Sequence, residues 1–411
     1  MISFPDRVPD QIRVGLVGPG PEAFIVQHHI NAMRETGLFD ITGAVCQNAK
    51  FCGWTAKNLR IPESRVDLNL NWLLHKVALM EETPDIIDIA TPTHLHAEQV
   101  MLALDHVDMV VCDKPLVTTW KEFCAIRDKM DTSQSIVITY NHRFFEPVQR
   151  LRAMVNDAKS IGCDIDNVSS WFFQQWLLED PKNRQSAWRK VHPLGGAWDI
   201  WTHAYDLMST VLGCDGVDVS ESSLVQNGAH GGAALDTGDC IVTFGDDRQA
   251  NIGFSQAKEG HQDDIGSMLR IEGVWWMWRL EMSGGDVLWM STAPEPSPWN
   301  MGDWKPIFRG SEEAFKYEES AAFEKTPPGH SMGWPDAWYT LWASIAGYYY
   351  QVFTPEFGTD NLHPAMLLDI PLMDEGGEQI TKFVLAAAKS FEQEGADVSF
   401  KSIEEEDDEA E

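Results

Sequence analysis

Short apolar runs alternate with helix-patterned stretches through the first third of the chain, and this alternation restricts the fold more than any other feature. IRVGLVG (12–18), FDITGAVC (39–46), PDIIDIATP (84–92), VDMVVCD (107–113) and SIVITYN (135–141) read as buried strands. Helical spacing fills the stretches that end near Thr36, surround HAEQVMLALDH (96–106) and run from about Thr119 to Met130. Strands that alternate with helices predict βαβ units on a parallel sheet. Past Pro147 the pattern changes. A helix-like PVQRLRAMVNDAKS (147–160) and a second helix-like AWDIWTHAYDLMSTVLG (197–213) accompany strand after strand: NVSSWFFQQW, DCIVTFGD, RQANIGFSQ, SMLRIEGV, WWMWRLEM and GDVLWMS. Consecutive alternating strands predict an antiparallel sheet. The expected class is therefore α/β plus α+β, with an α/β domain over 1–145 and an α+β domain over 146–400. The end of the chain, EEEDDEAE (404–411), is acidic at seven of eight positions. Like charges so dense repel one another, so 401–411 is expected to be a disordered tail.

The formal charge is −32 over 411 residues. Such a balance argues against nucleic acid or an anionic membrane as partner, since both recruit basic surfaces. No run of eighteen apolar residues occurs, so no membrane span is expected. The seven cysteines are scattered without a CxxC pair, which predicts reduced thiols rather than a zinc or disulfide framework. The amino-terminal residues carry no apolar stretch long enough for a signal peptide, so the expected location is cytoplasmic. Most of the seventeen tryptophans fall in the second half. They suit core and interface packing, and a few suit a sugar pocket, since sugar C–H faces stack on aromatic rings.

The first strand runs into VGPGPEAF, with Gly18 and Gly20 at its end and Ala23 at the third position of a GxGxxA pattern. Glycines there allow a tight turn and let a pyrophosphate approach the backbone and a helix N-terminus. The expected cofactor contacts are Gly18, Gly20, Ala23 and Phe24. At the end of the second strand an acid normally holds the adenosine ribose of NAD. This chain offers Cys46, Gln47 and Asn48 instead, with Lys50 nearby for a 2′-phosphate. NAD is the expected cofactor and NADP the alternative. ATPTHLH follows another strand and adds Thr91, Pro92 and His96, because ligands bind at the strand ends of an open parallel sheet.

VDMVVCDKP ends a buried strand with Asp113, Lys114 and Pro115. An amine at that edge can polarise a substrate hydroxyl beside a nicotinamide. GGAWDIWTHAYDL places Asp199 and His203 four residues apart on one helical face, with Asp206 a turn later. Oxidation of an alcohol needs a base for the O–H proton, and an acid beside a histidine fixes its tautomer. His203 is the expected base and Asp199 its orienting partner. No third ligand with recognisable spacing supports a metal.

The glycine turn, TPTHLH, CDKP, YNHRFFEP and GGAWDIWTHAYDL resemble, in order and spacing, the Gfo/Idh/MocA family of oxidoreductases (glucose-fructose oxidoreductase, inositol dehydrogenase and rhizopine catabolism proteins). The similarity spans roughly Arg13 to Gln351. It implies a Rossmann domain followed by a domain on a large, open, mainly antiparallel sheet, through which such chains commonly form dimers or tetramers. It implies that Lys114 is the lysine of the family's Glu-Lys-Pro motif, and that Asp199 and His203 are the helix acid and base. Asp113 stands where glutamate is usual, and Thr93 where asparagine is common. A subgroup also resembles SWFFQQWLLED, FSQAKEGHQDD and TPPGHSMGW, which implies that Gln174, Trp176, Arg189, His261 and His330 lie near substrate. Arg143 and Tyr140 are expected to border the nicotinamide.

The function so implied is an NAD(P)-dependent dehydrogenase of a ring hydroxyl on a sugar, sugar derivative or cyclitol. One alternative uses the same residues in an oxidoreductive glycosidase with a recycled cofactor. Another is a dinucleotide-binding regulator without turnover.

Overall fold

The computed structural model describes residues 10–71, 73–74, 83–175, 192–226, 235–261, 263–280, 287–308, 333–355, 362–363 and 366–408. Trp176, Arg189 and His330 lie outside them. The chain divides into two compact units.

The first unit is built on six parallel strands: β1 (Ile12–Val17), β2 (Phe39–Val45), β3 (Val66–Asp67), β4 (Ile86–Ile89), β5 (Met109–Cys112) and β6 (Ser135–Ile138), in the order β3-β2-β1-β4-β5-β6. Every residue of β4, β5 and β6 is buried. That is why β5 and the isoleucines of β4 and β6 are apolar, since a parallel sheet is covered on both faces; the buried Asp88 is an exception and pairs with His29 at 3.0 Å. The order reverses between β1 and β4, and the ends of those strands are the switch point where such sheets bind ligands. Helices α1 (Phe24–Thr36), α2 (Ala49–Leu59), α3 (His96–Ala103) and α4 (Trp120–Lys129) form the crossovers.

The first unit runs to Asn141 and is not continuous. Pro335–Gly377 returns to it. The reason lies in the helix Trp334–Phe353, which buries residues all round rather than along one stripe. Its Trp338 and Trp342 pack on His29, at 4.7 and 5.6 Å between ring centres, and Trp342 meets Phe39 edge-on at 5.1 Å. The Ile138 N–H then donates to the Pro371 carbonyl at 2.9 Å, which closes the open edge of β6.

The second unit carries a nine-stranded sheet that includes β7 (Ile165–Phe173), β8 (Gly216–Val225), β9 (Thr237–Phe244), β10 (Gln249–Ser255), β11 (Asp264–Ile271), β12 (Val274–Arg279) and β13 (Val287–Ser291). It is mainly antiparallel, as expected, with one correction: β10 and β7 pair in parallel. Helix α5 (Glu146–Ser160), the segment Ala197–Leu212 and the helix Glu378–Glu392 cover one face. Side chains alternate across the strands. Phe172 and Trp278 face the helices, whereas Trp171, Trp275 and Met277 join Trp304 on the other side.

The acidic tail also departs from expectation, because Phe400–Asp408 is helical. Phe400 and Ile403 are buried, and Lys382, itself held by Glu378, pairs with Glu404. Two apolar anchors and a buried cation offset the repulsion that the acid count alone implies.

Candidate functional site

In the first unit a candidate nucleotide cradle grows from β1. Gly18 has φ +104°, and a Cβ there would lie 2.5 Å from the Ala90 carbonyl oxygen. Only glycine fits, since the backbone is left-handed and β4 passes too close. Gly20 differs. A Cβ built on it would meet only the Phe51 ring, at 3.9 Å, so the space beside its backbone is open. Helix α1 begins next to this space with Ala23 as its N-cap, with no side-chain cap and no acid in its first turn. The first N–H groups of a helix have no partner of their own and carry the positive end of its dipole. An open cradle facing uncapped amides suits a pyrophosphate. Phe24, the first helical residue, is strongly exposed and stacks edge-on against His28.

The ends of β2, β4 and β5 lie along the same edge of the sheet. Cys46 is buried, while Gln47 and Asn48 are exposed. Asn48 caps α2, its Oδ1 accepting from the Lys50 N–H at 3.0 Å. Gln47 is therefore the neutral side chain left for a ribose. Thr91 Oγ1 donates to Gln99 at 2.6 Å. His96 is fully buried, and its Nε2 and Nδ1 lie 2.7 Å and 2.9 Å from the carbonyl oxygens of Thr91 and Pro115. It braces the strand ends that carry Thr91 and Lys114, a role the expected cofactor contact did not include. Asp113 accepts from Thr139 Oγ1 at 2.9 Å, which fixes the turn ahead of Lys114. The Lys114–Pro115 peptide is cis, and Tyr140 is buried at the end of β6.

In the second unit a cluster forms around Asp199 and His203. The segment enters at Gly196, where a Cβ would sit 2.8 Å from the Leu235 carbonyl oxygen. Its first turn, Ala197–Trp201, is π-wound and passes into the α-helix Thr202–Leu212. Such turns frequently mark functional sites. Asp199 is buried and accepts from Gln256 Nε2 at 2.7 Å. His203 Nδ1 stands 3.1 Å from His142 Nδ1, with the two rings nearly perpendicular. Phe172 meets both rings edge-on at 5.7 Å. Two facing imidazole nitrogens hold one proton between them, as donor and acceptor.

Asp206 follows one turn after His203. Arg143 claims it in a forked pair, at 2.8 Å through Nε and 2.5 Å through Nη2. Burial pushes the Asp206 carboxyl up, and Arg143 offsets only part of that rise. Gln174 donates to Asp263 at 2.6 Å. His261 lies 2.7 Å from Asp264, which Arg279 also grips at 2.5 Å. His142 and Gln256 were missed as site residues. Both stand in segments that carry the resemblance, but His142 and His203 are 61 residues apart and no local spacing links them. Among the described residues, no group of three or more His, Cys, Asp or Glu is placed to hold a metal ion, and no helix is long and apolar enough to cross a membrane.

Residues 12–142 match the family described as an oxidoreductase family with an NAD-binding Rossmann fold, the Gfo/Idh/MocA type. Over those residues the chain is similar to the Gfo/Idh/MocA family. Over 138 residues the chain is 30% identical to the levoglucosan dehydrogenase of Pseudarthrobacter phenanthrenivorans, covering 32% of this chain and 34% of that protein. Matches to curated relatives span from 34% to 64% of their lengths. In three dimensions the chain resembles an inositol dehydrogenase homolog from Azotobacter vinelandii, solved with NADH and myo-inositol. That likeness has a TM-score of 0.82 at 18% identity, over 95% of this chain and 98% of that one. An oxidoreductase from Sinorhizobium meliloti gives 0.77 at 23% identity, over 95% and 100%. At such identities the likeness shows the fold alone.

Proposed function

We propose that this chain is a dehydrogenase of the Gfo/Idh/MocA type that moves a hydride between nicotinamide and a ring hydroxyl of a sugar, sugar derivative or cyclitol. The observation that carries the reading is the open cradle at Gly20 beside the uncapped start of α1. The substrate class follows the relatives named for levoglucosan and inositol. NAD is favoured over NADP: Gln47 offers neutral hydrogen bonds to a free ribose hydroxyl, and Asn48 is committed to capping α2. The nicotinamide, when bound, accepts or returns the hydride at its C4.

The remaining chemistry falls to side chains. Lys114 polarises the reacting oxygen as a charged donor. His203 takes the hydroxyl proton, and His142 steadies the resulting cation through the Nδ1 contact. Asp199, anchored by Gln256, orients the substrate or the base. Arg143 and Asp206 fix the base's helix. Tyr140, Gln174 and His261 stand as substrate contacts.

The test mixes purified protein with NAD or NADP and a panel of cyclitols, sugars, anhydrosugars and glycosides, followed at the reduced-nicotinamide absorbance band. A substrate-dependent rise supports the proposal and settles the cofactor. Sugar release from a glycoside with no net rise would replace it with oxidoreductive hydrolysis.

A further inference from the structure

Two thiols stand together where a ribose acid is absent. Cys46 ends β2 and Cys52 lies in the first turns of α2, and their sulfurs are 2.9 Å apart. Both also approach one oxygen, the Asn48 carbonyl, at 3.5 and 3.9 Å. No other pair of the seven cysteines shows such a contact among the described residues, and all seven are free thiols. The sulfurs need about 0.9 Å more approach to reach a disulfide bond length. Cys46 is buried whereas Cys52 is partly exposed, so a small external oxidant reaches Cys52 first.

The segment from Val45 to Cys52 touches the Gly18–Gly20 turn at two points. The Gly18 N–H donates to the carbonyl of Val45, the residue before Cys46, at 2.9 Å. Phe51, the residue before Cys52, is the neighbour a Cβ on Gly20 would meet. Gln47 and Asn48 lie inside this segment.

We propose that Cys46 and Cys52 form a reversible disulfide at the ribose edge of the nucleotide site, and that this bond and bound NAD oppose each other. The second half rests on the NAD reading above; the first does not. The oxidant is a low-molecular-weight disulfide. The Cys52 thiolate bonds to one of its sulfurs, its S–S bond breaks, and the first small thiolate leaves and takes up the Cys52 proton. Cys46 sulfur, giving up its proton, then bonds to Cys52 Sγ. The mixed disulfide breaks and the second small thiol departs with that proton. Two protein thiols are oxidised and one small disulfide is reduced to two thiols. Burial, with Cys52 beside it, pushes the Cys46 thiol up to about 12, which suits the second thiol of the sequence rather than the first. Closure shifts Phe51 at the Gly20 cradle and removes both S–H donors from the Asn48 carbonyl.

The test treats the full chain with oxidised glutathione, blocks remaining thiols and maps peptides by mass. A peptide linking Cys46 to Cys52, lost on reduction, is expected. Cys46→Ser should trap a glutathione adduct on Cys52, and Cys52→Ala should yield neither. NAD titrations should show about tenfold weaker binding to the oxidised form, and NAD should slow its formation reciprocally. Wild-type protein carrying only a glutathione adduct on Cys52, with no linked peptide, would overturn the disulfide. Equal NAD affinity of both forms would overturn the antagonism. A reduced protein that binds no NAD while the linked peptide still forms would sink the nucleotide reading and leave the redox site standing.

Discussion

Gly18 and Gly20 are two residues apart in one turn, yet the structure gives alanine substitutions at them opposite consequences. Gly18→Ala puts a methyl at φ +104° and 2.5 Å from the Ala90 carbonyl oxygen. The backbone conformation alone costs about 1–3 kcal/mol. The overlap adds about 1–3 kcal/mol, because neither strand yields readily. The Gly18 N–H is bonded to Val45 and the Ala90 N–H to Val17, each at 2.9 Å. The free protein should therefore lose at least ~2 kcal/mol of stability. Gly20→Ala meets nothing nearer than 3.9 Å and carries no positive φ. Its effect on folding should stay within about 0.5 kcal/mol. The methyl nevertheless fills the space a pyrophosphate needs, and losing the amide contacts there should weaken NAD binding at least about tenfold, or ~1.4 kcal/mol. Urea unfolding of both variants without nucleotide, together with calorimetric NAD titration, measures the two effects separately. A Gly18→Ala protein as stable as wild type would refute the packing argument. Wild-type NAD affinity in Gly20→Ala would refute the placement of the pyrophosphate.

The proton-transfer assignment predicts that His203→Ala and Lys114→Ala each lower kcat by about 10²–10⁴ while NAD affinity stays within a few-fold of wild type, measured by steady-state kinetics beside calorimetry. Unchanged turnover in Lys114→Ala would remove that residue from the chemistry. His29 supplies a pH prediction. Burial opposes its charge, but the charge and hydrogen bond of Asp88 and the charge of Asp113 outweigh burial and hold its pKa above 6.5. The buried His29–Asp88 pair should stabilise the fold fully below pH 6.5, and that part should fade as pH rises through the folded value. Asp88→Asn should flatten this slope in denaturation measured across the window, and an unaltered slope would assign it elsewhere.

What could be read from the residues was what local physics controls. Strands of the parallel sheet are buried on both faces, so 109–112 and every residue of 86–89 except Asp88 are apolar. The turn at Gly18 was legible because only glycine tolerates its backbone. The helix around His203 was legible because its pattern is local.

Other features depend on residues far apart in sequence, and only the tertiary structure decided them. The acid count at 404–411 could not register Lys382, which pairs with Glu404 and helps to hold the last helix. Nothing within 334–353 announces a return to the first unit; the surface of His29 and Phe39 decides it. Asp206 stands one turn from His203, yet Arg143, 63 residues away, takes it. The nitrogen facing His203 belongs to His142, and the sulfur facing Cys46 belongs to Cys52, which only the turn into α2 brings round. Sequence determined which elements form and which residue types stand at their ends. The folded chain determined which of those residues meet, because a hydrogen bond or a thiol contact depends on separation in space and not along the chain.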